Sequence, residues 1–532
     1  MKIGQYIGFI FFQRHCDPRL PEYDPYNTFE QQLSFVQRHG IPATFLLQYD
    51  ALCDERYTAR LQECPPQIEV GGWFEIVQEL CEAAGIPWRG REGYSWDWHA
   101  DVGFSVGYTL QERRRLTDAY MTRFHAVFGR YPESFGSWAI DAGTLSYMHE
   151  RYGVAASCNC RDQWGTDGYT LWGGYYGQAY YPSRRNMLCP AGRVQEQIDV
   201  PVFRMLGSDP IRQYDLGLES DDSGTLMPVE WQGVATLEPY YTEELGGGVP
   251  SWVDWYLQET FCEEGLGFHY AQAGQENSFP WDKVQEGLEY QIRQMKAMQM
   301  AGRVQFVTLG EIARRFRERY SLTPETSMTA LTDPDTQKRR KSVWYLSRGY
   351  RLNLYAERER FWIRDLFVFD SQYPERYADE PCHTHGFVFD NLPVMDGNRF
   401  SGGQVRAGIY FYDRDGRQPQ LAQLAVRYPA DGGLLVEITD TIGQSWQVRS
   451  TENGITIGGP IGFYLRAEAG QEADFSDHTE NEWHLCHEGY RYTVRLTCGA
   501  FSGSERLSCR LSSENGRIDI CPTGQTAGEI DV

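Results

Sequence analysis

Short apolar runs and amphipathic stretches alternate along the first 320 residues, which predicts strands alternating with helices. Ile3 to Phe12 is apolar and rich in β-branched and aromatic residues, as a buried strand is. Thr28 to Arg38 carries helical periodicity, Gly40 to Leu47 is a second strand, and Ile68 to Glu75 is a third. Leu110 to Phe128 reads as a helix broken by Gly129-Arg-Tyr-Pro132. Phe135 to Ile140 then runs into Asp141, and a helix follows over Thr144 to Tyr152. Further strands are expected at Val154 to Ser157, Ile198 to Leu206, Val234 to Pro239 and Arg303 to Thr308, and the stretch Gly267 to Ser278 places His269, Gln275 and Glu276 near another strand end. Helices are expected at Val284 to Met300 and Leu309 to Arg319. Seven or eight strand–helix units over residues 1–320 are enough to close an α/β barrel. Beyond residue 343 short strands with turn residues between them predict an all-β sandwich to residue 532. Residues 321–342, with the basic run Lys338-Arg-Arg-Lys341, read as a solvated linker.

Composition narrows the class. A chain of 532 residues exceeds one hydrophobic core, in line with two domains. The formal net charge of -23 argues against a phosphate backbone as partner, so no nucleic acid is expected. No run of 18 apolar residues occurs, so no membrane partner is expected, and the direct start on a strand predicts a cytoplasmic protein. Thirteen scattered cysteines, an odd number, point to reduced thiols, and Cys158-Asn-Cys160 reads as structural. The 15 Trp and 34 Tyr are mostly core, but flat rings also stack on the apolar faces of sugars. A homo-oligomer is compatible with all of this.

Candidate chemistry sits at the expected strand ends, where barrel enzymes hold their catalytic groups. Asp141 closes one strand and precedes a helix. His15 and Asp17, two apart after the first strand, suit either one cation or a surface pair. Asp209, Glu238 and Glu276 close later strands, with Arg204 and Gln275 beside them. The insertion Tyr94-Ser-Trp-Asp-Trp-His-Ala-Asp101 offers Trp96 and Asp97 as sugar contacts, with loop hydrogen bonding the plainer role for Asp97, His99 and Asp101. The loop Asp162 to Pro182 is rich in Gly, Trp and Tyr and reads as the floor of a substrate cleft, with Asp167, Trp172 and Tyr175 as contacts. His383 and His385 read as a surface pair.

In order along the chain, His15-Cys-Asp-Pro18, Glu69-Val-Gly-Gly-Trp73 and Trp138-Ala-Ile-Asp-Ala-Gly143 resemble three motifs of alpha-mannosidase-type glycoside hydrolases, relatives of the NodB-like polysaccharide deacetylases. The resemblance covers residues 1–160 by motif and the rest by architecture, and it implies an irregular (β/α)7-type barrel over residues 1–320 followed by a β-sandwich. It implies an oligosaccharide or glycoside substrate, with Trp73 and Trp138 near the sugar. It implies Zn2+ or another divalent cation on His15, Asp17, Asp141 and a later histidine, for which His269 is the candidate. It also implies Asp141 as nucleophile of a retaining reaction, with Glu276, Glu238 or Asp209 as acid. The chain departs from the motifs at Cys16 and at Ala142-Gly-Thr-Leu145, so a barrel that has lost its metal and kept Asp141 with Glu238 or Glu276 is a second expectation. A metal-dependent deacetylase would need a metal-bound water, and its usual histidine pair after the third strand is replaced here by Trp73 and Glu75. A carbohydrate-binding protein without catalysis is the third alternative.

Overall fold

The computed structural model describes residues 4–522 apart from 206, 214–216, 229, 234 and 241–244. The expected strand limits at Ile3, Leu206 and Val234 lie outside the described residues. The strands β1 (Gly4–Gln13), β2 (Ala43–Leu47), β3 (Ile68–Trp73), β4 (Ser134–Gly136) and β5 (Ala156–Asn159) run parallel in that order. Val202–Arg204 continues the parallel sheet beyond β5, and Phe268–Ala273 pairs with the other side of β1. The sheet curls far enough for Phe203 and Tyr270, on its two outer parallel strands, to touch with ring centroids 5.1 Å apart. It is a curled half-barrel, because the free edge of Val202–Arg204 pairs with the antiparallel segment Ala179–Tyr180 and is closed to Phe268–Ala273.

Side-chain alternation sorts the strands into two layers. Even positions of β1, Ile10 and Phe12, join Leu46, Trp73, Cys158, Phe203 and Tyr270 in a core inside the curl. Odd positions, Phe9 and Phe11, pack with Phe45, Leu47 and Val70 under the helices. The inner core is tight around Gly136, where an added Cβ would lie 2.7 Å from the Cys158 sulfur and 2.8 Å from Leu46. The Leu110–Phe128 helix opens on a capping box between Thr109 and Glu112 and ends at left-handed Gly129.

The second half consists of antiparallel strands in two large sheets that share one apolar core, with Ile363 and Leu465 on one side and Val436 and Trp446 on the other. The stretch expected as a linker is partly sheet: Thr326–Ala330 pairs with Lys341–Leu346. Within its basic run Arg340 is buried against Asp333 at 2.7 Å, where a solvated side chain had been expected. The halves are also joined through charge. Arg351 is fully buried between Asp162 at 2.8 Å and Asp365 at 2.6 Å. Among the described residues no helix is long and apolar enough to cross a membrane.

Candidate active site

Counting the alternation of β1 past its end puts Arg14 on the inner face, above Phe12. The backbone is fixed there: Arg14 N–H donates to Asn277 Oδ1 at 2.9 Å, and Asn277 Nδ2 donates back to the Arg14 carbonyl at 2.8 Å. The guanidinium is buried, lies 4.1 Å from the centre of the Trp96 ring, and donates to Ser278 Oγ at 2.8 Å. It serves three carboxylates: Glu75 at 3.0 Å, Glu276 at 3.2 Å and Asp17 at 3.8 Å.

Above Arg14 opens a pocket of about 460 Å³ at the C-terminal ends of the parallel strands. Trp96, Trp98, Trp138 and Tyr169 supply aromatic walls. Asp17, Asp167, Glu238 and Glu276 supply acid groups, and Arg14, Arg19 and Arg161 supply cations. Asp167 sits at φ 56° with Gly168 at φ 81°, as the paired Asp-Gly turn between Gln163–Thr166 and Tyr169–Leu171 requires. That hairpin places Asp167 and Tyr169 at the mouth.

The acids differ in their surroundings. Burial pushes the Glu238 carboxyl up to about 7, against a hydrogen bond from Gln275 Nε2 at 2.7 Å. Only part of the Glu238 surface reaches the opening, so loss of hydration outweighs that bond. Burial likewise raises Glu276, with Arg14 opposing it. Glu75, buried beneath the pocket, is pushed to about 7 by burial despite Arg14. Asp17 goes the other way: burial would raise it, but Arg19 and Arg14 together hold it below the ordinary carboxylate range.

The structure brings Asp17, Trp96, Trp138, Asp167, Glu238 and Glu276 together from six distant places in the chain, with Gln275 behind Glu238. The other expected residues are elsewhere. Asp141 is fully buried and caps the Ala142–Tyr152 helix, accepting from Thr144 N–H at 2.8 Å and Ser105 Oγ at 2.6 Å and pairing with Arg113 at 3.0 Å. An acid before a helix is an N-cap by default, and here the cap uses the carboxylate fully. Asp209 pairs with Arg212 at 2.6 Å and accepts from Trp252 Nε1 at 2.9 Å. Trp73 stacks on Phe12 at 4.2 Å within the inner core. Asp97 is held by Arg91 at 2.9 Å. Arg204 donates to the Cys160 and Tyr175 carbonyls at 2.8 and 3.0 Å. Trp172 donates to Asp396 at 2.8 Å and Tyr175 to the Pro324 carbonyl at 2.8 Å, so the far part of the aromatic loop docks on the second half and does not floor a cleft.

The cation expected on His15, Asp17, Asp141 and His269 has no fitting donor set. His15 is largely exposed and pairs with Asp54 at 2.9 Å. Asp17 is engaged by Arg19 from two nitrogens. His269 lies on the outer face at the start of its strand, opposite Gln5, at the far end of the curl from the pocket. Burial without a charged partner lowers its imidazole to about 4. Among the described residues no group of three or more His, Cys, Asp or Glu is placed to hold a metal ion.

Arg14 and Arg161 went unanticipated. The sequence carries a signal for Arg14, since it continues the even-numbered inner face of β1. For Arg161 there is only a charge directly after the buried Cys158-Asn-Cys160.

Two predictions follow from burial. Asp141→Asn keeps a capping side chain but leaves Arg113 buried without its counter-charge, and should cost roughly 3–5 kcal/mol in denaturant unfolding with turnover per folded molecule unchanged. Second, Glu375 is raised to about 8 by burial and by Asp141, alongside Glu75 and Glu238 at about 7. These groups keep protons in the folded state that the unfolded chain has released, so stability should fall as pH rises from 6.5 to 8, by about 2 kcal/mol. His269 acts oppositely, but only between its folded value of about 4 and 6.5. Urea midpoints across that range check the sign.

No protein-family model and no curated protein sequence matches the chain. Solved structures do. A Parabacteroides distasonis protein provisionally described as a glycoside hydrolase/deacetylase is 15% identical with TM-score 0.52, over 73% of this chain and 91% of that one. Similarly described polysaccharide deacetylases from Mycobacterium smegmatis and Pseudomonas aeruginosa PAO1 are 13% and 10% identical, with TM-scores 0.33 and 0.36. They cover 63% and 60% of this chain and 96% and 92% of theirs. The first likeness is one of fold.

Proposed function

We propose that the chain is a carbohydrate-cleaving hydrolase that breaks a glycosidic bond with a pair of glutamates and without a metal. The architecture we assign is a barrel-type catalytic part over residues 1–320 and a β-sandwich part from residue 343. One observation carries the reading: Glu238 and Glu276, from separate strand ends, meet in one aromatic-walled pocket, and only Glu276 has a guanidinium partner. Two carboxyls in unlike surroundings divide into acid and base. Glu238, protonated near neutral pH, donates its proton to the glycosidic oxygen as the bond to the anomeric carbon breaks; water then adds to that carbon and returns a proton to the Glu238 carboxylate. Glu276 has the Arg14 guanidinium opposing the effect of its burial, and in its carboxylate form it faces the positive charge developing on the sugar ring. The indole faces stack on the sugar and hold it against the pair.

The reading is tested on a panel of oligosaccharides, following new reducing ends and released acetate. It expects new reducing ends, and it expects the rate to persist in excess EDTA. Acetate release without new reducing ends, or a rate abolished by EDTA and restored by Zn2+, favours deacetylation and overturns the glycosidase assignment.

A further inference from the structure

Three guanidinium groups line the pocket, and two are matched. Arg14 is shared among Glu75, Glu276 and Asp17, and Arg19 lies on Asp17 at 2.5 Å. Arg161 is different. It is 3% exposed, and its polar contact is one bond from Nη1 to the Asp162 carbonyl at 2.8 Å. Its Nη2 is buried and has no hydrogen-bond partner among the described residues. The adjacent carboxylate of Asp162 attracts Arg161 through space but makes its ion pair with Arg351, at 2.8 Å. Of the four acids on the same lining, Glu238 is the one whose carboxyl feels Arg161, without an ion-pair contact among the described residues, and the proposed chemistry requires it in its neutral form. A buried guanidinium without an ion-pair contact and with an unbonded nitrogen is costly, and such groups are normally paired. Structural support of the nearby loop does not account for it, because Arg204 already holds the Cys160 and Tyr175 carbonyls.

We propose that Arg161 is the recognition group for an anionic substituent, so that the sugar bound in this pocket carries a carboxylate, as in a uronic acid, or a sulfate ester. This rests on the glycan-cleaving reading of the same pocket and specifies its substrate class. The planar guanidinium suits a two-oxygen anion, and a charge-assisted bond there is made in surroundings shielded from water. An anion at Arg161 also sets the sugar between Glu238 and the indole walls, which fixes its orientation.

Binding to the full chain is measured by calorimetry with D-glucuronate, glucose 6-sulfate and glucose, for the parent, Arg161→Met and Arg161→Lys. The parent should bind at least one anionic sugar about tenfold or more tighter than glucose, as one charge-assisted bond implies. Arg161→Met should abolish the preference and Arg161→Lys should restore part of it. Preference for glucuronate or for the sulfate distinguishes the two sources of charge. Equal binding of all three sugars by the parent overturns the proposal whatever the variants do, and so does a preference that survives Arg161→Met. Cleavage of neutral glycans that depends on Glu238 would leave the proposed function standing while this inference fails. Uronate binding retained in a protein that cleaves nothing on the panel would do the reverse.

Discussion

Replacing Glu238 by Gln should lower turnover by about 10²- to 10⁴-fold, the range for loss of a positioned general acid. Gln keeps the shape and the hydrogen-bonding contact to Gln275, so the fold should persist. The pH dependence separates this from a structural effect. In the parent, the rate should fall as pH rises through about 7, because the carboxyl then gives up the proton that it donates. The variant should lack that limb. It should also be the more stable protein above pH 7, where the parent holds a poorly hydrated carboxylate and the amide stays neutral. Parallel pH–rate and thermal unfolding profiles check both signs.

Arg14→Ala should be the most disruptive single change in the pocket. It strips the ion-pair partner from Glu75 and Glu276 and leaves Asp17 with Arg19 alone. Breaking a buried pair by removing one partner costs about 3–5 kcal/mol, and here three acids lose the same cation. Glu75 and Glu276, already raised by burial, should then stay protonated well above neutral pH. Glu276 would no longer be ionised opposite the developing positive charge, so turnover should fall even where the variant is folded. Urea unfolding at pH 5 and pH 8 checks the stability part: the deficit should be larger at pH 8, where the orphaned acids are forced towards charge.

The parallel half of the fold was readable because β1, β2 and β3 are long apolar runs bounded by breakers, and because capping and breaking residues around Leu110–Phe128 mark its ends. Barrel closure was not readable. Closure is prevented by Ala179–Tyr180 taking the edge of Val202–Arg204, a pairing that two residues in a loop do not announce. In the site, Asp17, Trp138, Glu238 and Glu276 were reachable as polar or aromatic residues near strand ends, and Trp96 and Asp167 as members of aromatic-rich loops. Asp141 misled because a helix cap and a strand-end catalyst look alike in one dimension. The partners that settle it, Arg113 and Ser105, lie 28 and 36 positions away in the chain. Trp172 and Tyr175 misled for a related reason, since their polar ends bond to residues of the second half. Arg14 could have been found by extending the alternation of β1 past its last paired residue.

The most direct test is a side-by-side comparison of turnover by Glu238→Gln and Asp141→Asn, each corrected for folded protein and assayed on one oligosaccharide that the parent cleaves. The account predicts that Glu238→Gln loses at least about a hundredfold and that Asp141→Asn, though less stable, turns over as the parent does. Full activity in Glu238→Gln with none in folded Asp141→Asn would contradict it.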